Sequence, residues 1–338
     1  MLRGVLRIAS HNIMDGLFMP SLLAQYRAHQ RCATSKLHAV CIQEAVPQAA
    51  DAIAGALRPT FAVLAHPRAP RLAIVYDAAR LRLSSPLRLI SLPLLESIPS
   101  WQRLYTNAAE QRHALVGSFD WLDARRSSHA GRRRSSSSNS SSSSRRSRRS
   151  SRRSSRSSSR RRRGGAAAGR VPRSPLTLAN FHLDAGGENE HRTAQLAALA
   201  SSLGSGGPQR RRLRRVEVAA SCGAPLVACG DTNAFSFDTA AAEAALARMV
   251  APLRRAHGAV DAHADAAEPA ATHFFARAHE PKIGHRIAVA VGRLGVDFPR
   301  RYDVIVSALR RVGAAGVTTT EGSDHDLVWA GYAYPRRK

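Results

Sequence analysis

Four short stretches of this chain end an apolar run in residues able to do acid–base or metal chemistry. They are SHNIMDG (10–16), VCIQEA (40–45), LVACGDTNAF (226–235) and GSDHDLVW (322–329). Two more follow the pattern loosely, LANFHLD (178–184) and RRYDVIV (300–306). Carboxylates do not sit at the ends of apolar strands without reason, because an unpaired buried charge is costly. A cleft shared with imidazoles and amides accounts for all six stretches. Such a set suits hydrolysis of a phosphate ester: a hard divalent cation takes oxygen ligands, an attacking water needs a base, and the charge growing on phosphorus needs donors.

In order along the chain the motifs are an Asn, Gln-Glu, Asn-x-His, Gly-Asp-x-Asn, an Asp and Ser-Asp-His. Each alone is common. The ordered series resembles the endonuclease/exonuclease/phosphatase superfamily, over about residues 6 to 332 without the low-complexity tract described below. The resemblance implies a four-layer α/β sandwich, with two packed mixed β-sheets flanked by helices. It implies Glu44 as the principal Mg²⁺ ligand (Mn²⁺ as the alternative), with Asn12 near metal and phosphate and Asp324 as a neighbouring carboxylate near the metal. It implies Asp231 as the group that orients or deprotonates water, Asn233 as an amide on water and phosphate oxygen, and His325 and His182 as phosphate-contacting imidazoles. Asp303 would orient His325. A carboxylate beside an imidazole fixes its tautomer and raises its pKa, so that last pairing has a physical basis. Arg192 and Gln195 form an R-x-x-Q pair that reads as structural, and Asp15, Asp184 and Asp326 match no family position.

The elements that must deliver these groups are legible as pattern. VLRIAS, HAVCIQE, FAVLAHP, RLAIVYDAARLRL and RHALVGSFDWLD read as strands, as do PLTLANFHL, APLVACGD, RYDVIVSAL and LVWAGYAY. QAADAIAGALR, ENEHRTAQLAALASSL and DTAAAEAALARMVAPL have helical spacing. The whole chain, 1–338, reads as a single domain.

One segment breaks this alternation. Residues 135–163 run SSSSNSSSSSRRSRRSSRRSSRSSSRRRR. The chain's net charge is +27, but 17 of its 51 basic residues lie between 125 and 170, where there is no acid. The rest is moderately basic, with 34 bases against 24 acids, which fits a phosphate-rich substrate. The tract has nothing apolar to bury, so it is expected to be a disordered insertion (125–173) within a β-hairpin formed by residues 112–120 and 176–183. Lengthening such a loop costs only about 0.6 kcal/mol per doubling.

Cys32, Cys41, Cys222 and Cys229 have no CxxC spacing, which points to free thiols rather than zinc or a disulfide framework. No run of about 18 apolar residues suggests a membrane span, and the N-terminus has no apolar signal core. The expectation is therefore an intracellular protein, cytoplasmic or nuclear, and a monomer. Its partner would be a phosphate-ester substrate, nucleic acid among the candidates. The favoured function is a metal-dependent phosphoesterase acting on phosphodiesters in the manner of a nuclease. The competing readings are a nucleic-acid-binding protein working through its Arg/Ser tract, a lipid- or inositol-phosphate phosphatase of the same superfamily, and a scaffold without activity. The basic, apolar stretch 272–301 is a candidate specificity loop for a nucleic-acid backbone or a lipid, with structural cover of the core as the favoured alternative.

Overall fold

The apolar runs alternate with helical stretches, and the computed structural model arranges them in that order. β1 (Val5–Asn12) leads through a single turn, Met14–Gly16, into α1 (Met19–Arg31) and then β2 (Ala39–Gln43). After α2 (Pro47–Leu57) come β3 (Phe61–His66), β4 (Ala69–Asp77), β5 (Leu81–Leu83), β6 (Arg88–Ser91) and β7 (His113–Trp121). The second half is β8 (Ser174–His182), α3 (Asn189–Gly204), β9 (Leu226–Asp231), α4 (Thr239–His257), β10 (Val260–Asp261), β11 (Asp303–Ser307), β12 (Arg311–Thr318) and β13 (Leu327–Ala333). The structure describes residues 4–16, 18–32, 34–94, 111–122, 174–185, 188–204, 224–234, 239–264, 271–274, 290, 301–321 and 323–334. The Ser/Arg tract and most of 272–301 lie outside them, as does Cys222.

The strands form two mixed sheets. One has the order β12-β13-β1-β2-β4-β3, the other β10-β11-β9-β8-β7-β5, with β6 also paired to β7. Each contains one parallel pair, β1 with β2 and β8 with β9. A parallel pair needs a long crossover. The crossovers here carry α1 and α3.

Side-chain alternation then makes four layers. Leu6, Ile8, Cys41 and Ile74 of the first sheet meet Leu115, Phe119, Leu178, Val227 and Ile305 of the second in a core between the sheets. The opposite face of the first sheet, with Val40, Ile42 and Val75, packs against Leu22, Tyr26, Ile53 and Leu57 of α1 and α2. The opposite face of the second, with Phe181, Val304 and Val306, packs against Leu196, Leu199, Leu246 and Met249 of α3 and α4. Strands buried on both faces read as continuous apolar runs. Cys41 and Cys229 lie buried in the inter-sheet core, and Cys32 is exposed.

One polar pin crosses that core. Asn180 on β8 is fully buried, donates from Nδ2 to the carbonyls of Ile42 and Ala73 (both 2.8 Å), and accepts from Gln43 Nε2 at 2.6 Å. These bonds offset the cost of burying the amide and lock β8 to the residue preceding Glu44.

One sequence expectation is corrected. RLAIVYDAARLRL is not one strand. Asp77 Oδ1 accepts the Ala79 N–H and its carbonyl accepts the Arg80 N–H, so a turn closes β4 and moves the chain to the other sheet as β5. A strand that the pattern concealed, β12, runs through RVGAAGVT, where Gly and Ala give little strand signal. Gly313, at φ +80°, falls where its register with β13 shifts.

The strands around the Ser/Arg tract, β7 and β8, pair antiparallel with Trp121 opposite Ser174. Trp121 and Ser174 therefore lie at the end of this strand pair opposite to His182. The two ends of β8 are about 26 Å apart at ~3.3 Å per residue.

Candidate active site

The topology brings six segments of the chain to one edge. β1, β2, β8 and β9 all end there, delivering Asn12, Glu44, His182 and Asp231. β11 runs antiparallel to β9 and so begins there, with Asp303 opposite Asp231. β13 runs antiparallel to β1, so the turn before it brings Asp324 and His325 to the same edge. His182 pairs in register with Asp231 on the other side. His182, Asp231 and Asp303 thus stand side by side on three neighbouring strands.

Asp231, 1% exposed, is the hub. Its Oδ2 lies 3.1 Å from Asn12 Nδ2, 3.6 Å from His182 Nε2 and 3.7 Å from His325 Nε2. Its Oδ1 accepts the Asn233 N–H at 2.8 Å. Asn233 sits at φ +49° and donates its amide to the Leu183 carbonyl at 3.0 Å, tying the turn after β9 to the end of β8. His325 Nδ1 lies 2.7 Å from Asp303 Oδ2. Ser323 fixes the turn that carries His325: its hydroxyl donates to the Asn12 carbonyl and accepts the His325 N–H.

Glu44 follows β2 at φ +51°. A left-handed residue other than glycine costs about 1–2 kcal/mol, so the fold holds this carboxylate against strain. Met14, Asp15 and Gly16 are also left-handed, and the Asp15 N–H bonds to the Glu44 carbonyl. Glu44 Oε1 stands 3.8 Å from His182 Nε2, and Oε2 accepts from Arg71 at 3.2 Å. Arg71 also holds both oxygens of Asp15 at 2.9 Å.

Burial sets the charges. It pushes Glu44 up to about 7, opposed by Arg71 and reinforced by Asp324 and Asp231. Burial pushes His182 down to about 3, so its ring is neutral at physiological pH despite Asp231. Burial would raise Asp231, but His325, His182 and the donors from Asn233 and Asn12 outweigh it and hold the carboxyl below its usual range. Burial would lower His325, yet Asp303 and Asp231 outweigh that and hold it well above the ordinary imidazole value. Burial lifts Asp303 to about 6 against the pull of His325. The two effects oppose each other within this pair. A 2.7 Å contact and the second carboxylate at 3.7 Å favour carboxylate with imidazolium.

Every site residue expected from the sequence arrives at this edge. Two further groups there carried no sequence signal. Arg71 lies inside a strand, where nothing distinguishes it from a surface arginine. His273 is brought in by an isolated bridge between residues 273 and 325. Two clusters among the described residues place three ligand atoms within 4.8 Å of one another: His273, Asp324 and His325, and Asp231, Asp303 and His325. Asp15 turns to Arg71. Asp184 is held by Arg112, His191 and Gln195, while Arg192 donates to the carbonyls of Asp184 and Ala185, a structural role for the R-x-x-Q pair. Arg301 pairs with Glu243 and Asp261, leaving Asp303 to His325.

No protein-family model matches the sequence, and no curated protein does. Solved structures match over nearly the whole chain. An endonuclease/exonuclease/phosphatase family protein from Bacteroides thetaiotaomicron superposes at TM-score 0.51 and 13% identity, covering 98% of this chain and 99% of that one. One from Bacteroides vulgatus does so at 0.51 and 15%, covering 97% and 98%. D. rerio TDP2, complexed with single-strand DNA product, does so at 0.51 and 12%, covering 98% and 99%. The fold is therefore that of the endonuclease/exonuclease/phosphatase proteins. Among the described residues no helix is long and apolar enough to cross a membrane.

Proposed function

We propose that the chain is a metal-dependent phosphoesterase that hydrolyses phosphodiesters by in-line attack of water. The observation that carries this reading is Asp231, a buried carboxylate faced by Asn12, His182 and His325 and flanked by Glu44 through His182. The donor set suits a hard divalent cation. Glu44 is pushed up to about 7, with Asp324 and Asp231 adding to the burial penalty, so nearby positive charge is in demand. Carboxylate and amide oxygens are what Mg²⁺ or Mn²⁺ prefers. Glu44, Asp324 and Asn12 would hold it, and it would supply Lewis-acid charge at a phosphate oxygen.

The chain's own groups do the rest. Asp231, ionised through the neutral range, orients the attacking water and receives its proton as the new P–O bond forms and the ester P–O bond opposite it breaks, the departing oxygen taking a proton from solvent. The Asn233 N–H and the Asn12 amide hold that carboxylate in place. His325, kept charged by Asp303, donates to a phosphate oxygen as negative charge builds there. Neutral His182 contributes a further donor. Preorganised donors of this kind are each worth about 10²–10³ in turnover.

A diester of nucleic-acid type is supported by the TDP2 complex with single-strand DNA product, which shares this fold, and by the basic balance of the chain outside its tract. The test is a panel of bis-p-nitrophenyl phosphate, p-nitrophenyl phosphate, inositol phosphates and single-stranded oligonucleotides, with Mg²⁺ or EDTA, with and without residues 126–172. EDTA-sensitive diester cleavage that survives the deletion supports the proposal. Monoester cleavage alone would move the substrate to a phosphatase. Binding without hydrolysis, lost with the tract, would hand the function to the Arg/Ser segment.

A further inference from the structure

We propose that His273 is a positioning residue, which fixes the Asp324 carboxylate for the metal and braces the His325 ring beside it. The inference rests on the role given to Asp324 in the phosphoesterase reading. His273 is 6% exposed, and its Nε2 lies 3.4 Å from Asp324 Oδ2. Its ring stacks on Tyr302 at 4.7 Å between centroids, 23° from parallel, and stands edge-on to His325 at 4.6 Å. The ring therefore has two aromatic neighbours and a carboxylate partner.

The backbone around it is equally committed. The Thr272 hydroxyl accepts the N–H groups of Tyr302 and Asp303. The Thr272 carbonyl accepts the Asp326 N–H, and the Phe274 N–H donates to the Asp324 carbonyl. Residues 272–274 thus stitch the start of β11, which carries Asp303, to the turn that carries Asp324 and His325. These bonds fix where the His273 ring sits, and its edge nitrogen is aimed at Asp324. With Nε2 3.4 Å from Asp324 Oδ2 and the ring fixed between Tyr302 and His325, His273 is placed to serve that carboxylate as an N–H donor. Hydrogen-bonding partners that orient a metal-binding carboxylate are typically worth 10- to 100-fold in metal affinity or activity.

The experiment compares full-length wild type with His273→Phe, His273→Gln and His273→Asn. Mn²⁺ affinity is read by electron paramagnetic resonance, kcat and KM on bis-p-nitrophenyl phosphate, and Tm by calorimetry. Phe keeps the stack on Tyr302 and loses the N–H. Gln returns an amide N–H near Nε2, and Asn places its amide too short to reach Asp324. The Phe and Asn variants are expected to bind Mn²⁺ at least ~10-fold more weakly and to lose at least ~10-fold in kcat with KM nearly unchanged, while Gln stays within ~3-fold of wild type. Equal Mn²⁺ affinity and kcat in wild type and the Phe or Asn variant would overturn the proposal, as would a Gln variant as impaired as Phe. If Phe does not fold, the contrast of Asn with Gln decides the same question. A wild type that binds Mn²⁺ but hydrolyses no phosphate ester would sink the phosphoesterase reading alone, since the affinity comparison still decides His273. A wild type that binds no Mn²⁺ overturns both.

Discussion

Replacing Asp303 by Asn tests the charge arrangement at one atom. Asp303 is fully buried, with Oδ2 2.7 Å from His325 Nδ1, and Asp231 holds the opposite nitrogen at 3.7 Å. At an effective dielectric of about 20, the Coulomb attraction is about 6 kcal/mol for the first pair and about 4 kcal/mol for the second. The Asp303→Asn change removes the larger support and keeps the volume. The new amide would present either its oxygen to a neutral ring or its N–H to a flipped tautomer, and the imidazolium is lost in either case. The expected result is a fall in kcat of about 10²–10³ on a diester, in line with loss of a charged donor at the phosphate, with KM changed little. The fold is expected to survive with its stability lowered by about 3–5 kcal/mol, because the change removes one partner of a buried ion pair. The assay is steady-state hydrolysis of bis-p-nitrophenyl phosphate with Mg²⁺, alongside ¹⁵N NMR of the histidine rings and a melting curve. Wild-type kcat, or an imidazolium at His325 that persists in the variant, would refute the reasoning.

Glu44→Gln is expected to abolish tight Mn²⁺ binding and lower kcat at least ~100-fold, while the metal-free Tm at pH 8 does not fall, because burial penalises the charged form of Glu44. A Tm several degrees lower would contradict that. Gly230→Ala places a Cβ 2.2 Å from the Phe181 carbonyl oxygen, where nothing flexible can move away. We expect at least ~2–3 kcal/mol of destabilisation and displacement of Asp231, read as loss of both Tm and turnover; wild-type melting would count against the packing described. His38, whose Nδ1 accepts the Arg7 N–H, is pushed down to about 4 by burial and by Arg80. Its unfolded form titrates near 6.5, so the unfolded chain binds the extra proton first. Stability is therefore lost as pH falls from about 6.5 to 4, by up to about 3 kcal/mol for this group. Urea midpoints at pH 7.5 and 5 should differ less in His38→Gln than in wild type, and equal slopes would dismiss the contribution.

The site is legible in the sequence because its groups sit at strand ends. Asn12, Glu44, His182 and Asp231 each close an apolar run, and a run of that kind is visible without knowing its neighbours. Asp303 and His325 can be paired through the resemblance, although β11 and the strand that follows His325, β13, lie in different sheets. His273 is not legible. Its place depends on an isolated bridge and on hydrogen bonds to residues about 30 and 50 positions further along the chain. Arg71 is hidden for a related reason: it reaches Glu44 from a neighbouring strand, and strand pairing leaves no mark on a single residue. The inter-sheet pin at Asn180 shows in the sequence only as part of an Asn-x-His motif. Its function as a clamp on the carbonyls of Ile42 and Ala73 emerges once the sheets face each other.

The most direct measurement compares wild type with Asp231→Asn in single-turnover cleavage of a single-stranded oligonucleotide and of bis-p-nitrophenyl phosphate, each with Mg²⁺ and with EDTA. The account expects EDTA-sensitive cleavage by wild type, and a rate at least ~100-fold lower in the variant with its melting curve intact. Cleavage by the variant at near the wild-type rate, or no metal-dependent cleavage of any phosphate ester by wild type, would contradict it.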